Sequence, residues 1–293
     1  MVEGTIIKSL SGFYTVTSDE GIFICKGRGV FRNQKITPLV GDEVLFNKID
    51  DDSGYIIEVK QRENELIRPP IANVSQAVVV MSAIEPAFSH LLLDRFLISL
   101  ESEKIKPLIV ITKMDLIDAQ LMDEFYTYQQ QYEAIGYYVK LVSLKDEQWI
   151  PFLKEYFKEE ITVLTGQSGV GKSTMLNRIN PDLAIKTGEI SSSLGRGKHT
   201  TRHVELIEIN EGYVADTPGF SSLEFTKIEP EQLSQYFREM KELIPYCKFR
   251  GCLHDKEPKC AVKKAVEDGE ILSSRYKNYL TFLQEIQSRK PRY

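Results

Sequence analysis

Several things are scarce in this chain of 293 residues, and each scarcity excludes something. No apolar run approaches the ~20 residues that cross a bilayer. The N-terminus lacks the basic-then-apolar pattern of a secretory signal, so the expectation is a cytoplasmic protein without membrane partners. There is no basic excess: 37 Lys and Arg stand against 42 Asp and Glu, a net charge of −5, so no whole-molecule field draws in nucleic acid. Cysteine is sparse too. Of Cys25, Cys247, Cys252 and Cys260, three fall within fourteen residues, a clustering that in a reducing compartment favours a metal over disulfides.

What is present is organised in three parts. Residues 1–68 carry 9 basic and 11 acidic groups, 69–226 carry 14 and 21, and 227–293 carry 14 and 10, so the middle is acidic and the tail basic. Any nucleic-acid contact must therefore be local.

Residues 1–68 read as about five short strands between turns such as Ser11-Gly12 and Asp50–Gly54, the pattern of a small closed barrel of the oligonucleotide-binding (OB) type. Within it Lys26, Arg28, Arg32 and Lys35 flank Phe31, a grouping that grips phosphates while stacking a base, or simply forms a solvated strand edge. The paired prolines of Leu66–Pro70 read as a linker. Beyond them, apolar runs at 76–83, 107–111, 137–142 and 161–164 alternate with helical periodicity at 91–102, 120–134 and 148–157. That alternation predicts a parallel sheet wrapped by helices.

The most specific motif is Gly166-Gln167-Ser168-Gly169-Val170-Gly171-Lys172-Ser173, followed by Thr174, which matches G-x-x-x-x-G-K-[ST] between a strand and a helix. Its backbone N–H groups would cradle the β-phosphate, Lys172 would reach the β- and γ-phosphates, and Ser173 would ligate Mg²⁺. Thr112-Lys113-Met114-Asp115 follows another strand. There Asp115 would accept from N1–H and the 2-amino group of guanine, neither of which adenine offers, and Lys113 would lie along the base. Ser143-Leu144-Lys145 would back that base. Asp216-Thr217-Pro218-Gly219 after a third strand would hold a Mg²⁺-bound water through Asp216 and give a γ-phosphate contact through Gly219. Between lies Gly195–Arg202, glycine-rich and basic, in which Thr200 or Thr201 would complete the Mg²⁺ shell.

Most GTPases place the phosphate loop first and the base-reading loop last; here the base-reading loop precedes it. That is a circular permutation. Placed between a barrel and a Cys/His-rich tail, it resembles the ribosome small-subunit-dependent GTPase A family over essentially the whole chain. The resemblance implies a monomeric GTPase of late small-subunit maturation, in contact with ribosomal RNA, stimulated by the subunit and released after hydrolysis. Cys247-x₄-Cys252-x-His254-x₅-Cys260 fits a closed tetrahedral Zn²⁺ site in a mostly helical tail, and the family carries zinc there. Phe220 occupies the position where many GTPases use a water-orienting Gln, so slow intrinsic hydrolysis is expected. His199 is the candidate substitute, as the family also has a histidine there, or else a solvated loop side chain. Two other readings stay open: an RNA-binding scaffold with GTP as a structural ligand, and a phosphate-loop kinase, against which Asp115 argues. Because the chain runs from Gly219 straight into the tail, switch movement would be transmitted covalently to residues beyond about 225.

Overall fold

The structure is a computed structural model, and it describes residues 1–27, 31, 36–67, 69–183, 204–215 and 225–289. Five strands between Val2 and Val59 close into a barrel. Its strands are β1 (Val2–Leu10), β2 (Phe13–Ser18), β3 (Gly21–Gly27), β4 (Glu43–Lys48) and β5 (Ser53–Val59), in the order β1-β2-β3-β5-β4 with β4 returning to β1. Apolar side chains that alternate along the strands point inward, among them Ile6, Val16, Val44, Phe46 and Ile56. In β3, Phe23 and Cys25 are buried while Ile22, Ile24 and Lys26 face out.

The expected linker at Leu66–Pro70 is instead part of a β-hairpin, β6 (Glu65–Ile67) against β7 (Pro70–Ala72). Pro70 is tolerated because it opens its strand and Ile67, its partner, ends one. The hairpin is fastened to the barrel. The Ala72 N–H donates to the Val40 carbonyl at 2.9 Å, and Gly41, at φ +89°, runs so close that a Cβ there would lie 2.1 Å from the Ala72 carbonyl oxygen. Buried Asp42 accepts both Nε and Nη2 of Arg62, at 2.7 and 2.8 Å. Leu66, Ile71 and Val74 make the barrel core continuous with that of the next domain.

The central sheet has six strands in the order β10-β9-β8-β11-β13-β12. They are β8 (Gln76–Ser82), β9 (Lys106–Thr112), β10 (Tyr138–Leu141), β11 (Ile161–Thr165), β12 (Leu206–Ile209) and β13 (Gly212–Ala215), all parallel except β12. Every residue of β8 is buried, as expected of a strand covered on both faces. Ala77, Val79 and Met81 pack with α1 (His90–Ser102) and α2 (Ala119–Ala134). Val78 and Val80 face the other way, toward α3 (Ile150–Phe157) and α4 (Lys172–Ile179).

The tail holds α5 (Ala261–Glu267) and α6 (Ser273–Gln287) around Phe225, Phe237, Tyr279 and Phe282. It docks on α1. Ile98 of α1 enters the tail core, and Arg275 of α6, 1% exposed, inserts between two acids. Its Nη1 donates to Asp94 at 2.5 Å, while Nε and Nη2 donate to Glu239 at 2.7 and 2.9 Å. Asp94 also accepts from Asn278 (2.6 Å) and from the Tyr132 hydroxyl (2.9 Å). Arg95–Glu285, Arg238–Glu101 and Lys227–Glu103 pairs surround this buried centre.

Candidate nucleotide-binding site and metal cluster

In an open α/β sheet, ligands bind beyond the carboxyl ends of the strands. Here the loops after β8, β9, β10 and β11 meet at that edge. The loop after β11 carries the phosphate motif, and two of its glycines are obligatory. At Gly166 (φ +141°) a Cβ would lie 2.1 Å from the Val80 carbonyl oxygen, and at Gly171 (φ +102°) 2.7 Å from Leu144 Cδ1. Gln167, Ser168 and Gly169 are exposed at the tip, while Val170 is buried. Ser173 and Thr174 lie half-buried in the first turn of α4, whose N-terminal end carries the helix's positive pole.

Lys172 is mostly buried and folded back across its own loop, donating to the carbonyls of Gly166 (2.7 Å) and Gln167 (2.5 Å). Burial pushes its pKa down to about 8.

The base-reading loop is locked onto the phosphate loop. The buried Thr112 hydroxyl lies 2.6 Å from the Val170 carbonyl and 3.1 Å from that of Met81, so it donates to one of them. Lys113 adopts a left-handed backbone (φ 62°), and its ammonium donates to the Glu85 carbonyl. Met114 is buried, and its N–H points to the Val142 carbonyl at 3.3 Å. The Asp115 carboxylate stands 2.7 Å from Lys145 Nζ. The bond from Lys145, helped by one from Ser143, holds that carboxyl below its ordinary range despite desolvation. Ser143 Oγ accepts the Lys145 N–H (3.1 Å), and the Trp149 indole donates to the Ser143 carbonyl (3.1 Å). The structure thus brings together 112–115, 143–145 and 166–174. Asp216, Gly219, His199, Thr200 and Thr201 lie outside the described residues.

The tail gathers Cys247, Cys252, His254 and Cys260, with one ligand atom from each within 4.8 Å of the others. His254 Nδ1 lies 3.2 Å from Cys260 Sγ and 3.6 Å from Cys247 Sγ, and the two sulfurs are 3.8 Å apart. Burial pushes the Cys252 thiol up to about 12 and raises that of Cys260. Three thiols, two of them buried, gathered with an imidazole nitrogen are a poor apolar core and a good donor set for a soft divalent ion, which would convert them to thiolates. The cluster therefore fits a metal ion.

On the barrel, one expectation is corrected. Phe31 is 5% exposed and packs into the barrel core, its ring near Gly27, so it cannot stack a base. Arg28, Arg32 and Lys35 lie outside the described residues. Lys26 does face outward, with Nζ 5.0 Å from the centre of the Phe13 ring, and Tyr55 is its cross-strand partner on β5. Phe13 and Tyr55, 46% and 42% exposed, are aromatics that sequence reasoning missed. The signal was available in the strand alternation, which puts Lys26 outside because Phe23 and Cys25 are inside.

Comparison with known proteins places this geometry. The family model described as RsgA GTPase matches residues 59–226, and the one described as RsgA N-terminal domain matches 3–56. A curated relative from Oceanobacillus iheyensis, named small ribosomal subunit biogenesis GTPase RsgA 2, is 60% identical over 293 residues, covering 100% of both chains. The crystal structure of YloQ, described as a circularly permuted GTPase, superposes with a TM-score of 0.87 at 52% identity, covering 100% of this chain and 97% of that one. YjeQ from Thermotoga maritima gives 0.88 at 38% identity, with 99% of each chain covered.

Proposed function

The chain belongs to the RsgA GTPase family, and on that premise we propose that it hydrolyses GTP to GDP and phosphate in the late maturation of the small ribosomal subunit. One observation carries the nucleotide half of this reading. Thr112 Oγ1 sits 2.6 Å from the Val170 carbonyl, tying the base-reading loop to the phosphate loop 58 residues later in the chain. Permuted chain order is thereby compatible with one joint site. Asp115, kept ionised by Lys145, accepts the two guanine donors. Lys172 leaves its two carbonyls for the β- and γ-phosphates, and N–H groups of 167–171 and the start of α4 take the rest of the negative charge.

Mg²⁺, when bound with GTP, neutralises charge between the β- and γ-phosphates; Ser173, Asp216 and Thr200 or Thr201 are the residues that would hold it. With Phe220 unable to orient water, His199 is assigned that role. The Cys247, Cys252, His254 and Cys260 cluster is assigned to a structural Zn²⁺, since three sulfurs and one nitrogen suit zinc and leave no open position for catalysis. The partner is the small subunit through its RNA, reached from the barrel and from the tail. The molecule acts as a cytoplasmic monomer, and among its described residues no helix is long and apolar enough to cross a membrane.

The test is GTP turnover by the pure protein alone, with small subunits and with large subunits, at matched salt, with Lys172→Ala as the control. Strong stimulation by the small subunit only is expected, followed by its loss in His199→Ala. Slow turnover that is equal under all three conditions overturns subunit activation, and would favour a scaffold that holds GTP as a structural ligand.

A further inference from the structure

We infer that the metal knuckle of the tail is a stacking platform for unpaired RNA bases, with Tyr246 and Phe249 as the stacking rings. The inference rests on the ribosomal reading above and adds to it a place and a chemistry. Tyr246 is 77% exposed, exceeded among the exposed large hydrophobic side chains of the described residues only by Met1, and Phe249 is 43% exposed. Neither belongs to the tail core, although that core is built of aromatic rings a few residues away in the fold. A ring kept out of an available core costs burial energy that some other contact has to return.

Local geometry holds both rings outward. Cys247 and Cys252 turn inward to the cluster and close the short loop 248–251, whose Gly251 has φ +70°. The Lys248 N–H points to the Lys259 carbonyl at 3.4 Å, joining the two sides of the knuckle. Tyr246 precedes the first ligand and Phe249 lies within the loop, so both rings stand on backbone that the ligands anchor.

The surroundings select the occupant. Lys248, Arg250, Lys256 and Lys259 are exposed on the same knuckle, and Lys248 Nζ lies 5.2 Å from the centre of the Phe249 ring. Of the neighbouring acids, Asp255 is exposed, whereas both oxygens of Glu257 are engaged by the N–H groups of Leu253 and Asp255. Cations interleaved with exposed rings match a polymer that offers phosphates and flat faces together, which is single-stranded nucleic acid. An apolar protein groove would meet a rim of cations here, and a duplex would bury its base faces from the rings.

Equilibrium binding of the full chain to small subunits, to a single-stranded RNA and to a duplex of equal length, each across a salt series, tests this. Tyr246→Ala/Phe249→Ala is expected to lose roughly 10-fold or more in affinity for single strands and subunits, with duplex binding and salt slope unchanged. Lys248→Ala is expected to reduce the salt slope by about 1. Tyr246→Trp/Phe249→Trp, which keeps the rings, should restore binding and so separates stacking from misfolding. Equal binding of wild type and double Ala variant overturns the platform while leaving the ribosomal reading standing. Weaker subunit binding with unchanged affinity for free RNA also overturns it, because the rings then face a ribosomal protein. A wild type that binds no subunits at all removes both readings.

Discussion

Replacing Arg275 with Met is the sharpest test of how the tail is held. The guanidinium is 1% exposed and its charge-assisted bonds to Asp94 and Glu239 run from 2.5 to 2.9 Å. It also lies 4.8 Å from the centre of the Phe237 ring. Methionine fills much of the same volume, so the cavity contribution is small, but it leaves the fully buried Asp94 without its cation. Removing one partner of such a pair costs about 3–5 kcal/mol, a large share of the 5–15 kcal/mol that holds a domain folded. Arg275→Lys keeps the charge yet cannot fork between two carboxylates, and should cost about 2 kcal/mol. The loss belongs to docking of α6 on α1, so urea unfolding of Arg275→Met should split, with a tail transition at lower urea ahead of the sheet. GTP affinity should hold, because the phosphate and base loops keep their mutual contacts. In Asp94→Asn/Arg275→Met the loss should be less than the sum of the two single changes by about 1–3 kcal/mol. A single transition with a loss under 1 kcal/mol in Arg275→Met would refute the claim that this buried centre is what fastens the tail.

Three further outcomes are expected. Lys172 has a pKa of about 8 in the free protein against an ordinary 10.5, and phosphates favour its charged form, so GTP affinity should fall as pH rises from 7 to 9, by up to roughly 10-fold. Between those pKa values the unfolded chain binds the extra proton, so stability of the nucleotide-free protein should rise with pH across that window; both trends should vanish in Lys172→Met, read by calorimetry and urea unfolding. Asp115→Asn exchanges an acceptor for a donor at the guanine edge and should weaken GTP by about 100-fold while leaving ATP nearly unchanged, as competition binding would record; equal effects on both nucleotides would remove Asp115 from base selection. Chelation, or Cys252→Ser, should destabilise the tail by an amount on the order of 3 kcal/mol or more and leave GTP binding intact, with elemental analysis giving one zinc per untreated chain; a tail transition that ignores the chelator would mean the cluster holds no structural ion.

The motifs at 112–115, 143–145 and 166–174, which the structure brings together, were legible because phosphate and guanine chemistry restrict residue types at fixed spacing. The elements around them were readable for a similar reason: β8 is a continuous apolar run, and the two buried faces of the sheet need one. Side-chain direction outside regular strands was not readable. Phe31 lies beyond the end of β3 at Gly27, where period-two alternation no longer says which way a ring points, and its ring is buried. The hairpin at 65–72 was hidden by its prolines, which exclude a ladder interior but not its ends. Most opaque was the tail clamp. Asp94 and Arg275 are 181 positions apart, and each looks like an ordinary polar residue of an amphipathic helix until the helices meet.

That clamp changes how the two ends of the molecule are related. Chain order alone suggested a single link from nucleotide to tail, through the segment beyond Gly219. The loop between β8 and α1 supplies another. Its Glu85 carbonyl receives the Lys113 ammonium of the base-reading loop, and the Pro86 ring lies 3.9 Å from where a Cβ on Gly169 would sit in the phosphate loop. Ser89 then caps α1 by accepting the Leu92 N–H, and α1 presents Asp94, Arg95, Ile98 and Glu101 to the tail, with Glu103 just past its end. One helix therefore borders the nucleotide loops at its start and carries the tail along its length. A shift of the base or phosphate loop displaces the same rigid rod that the tail is bonded to, which requires no movement of the covalent connection at all.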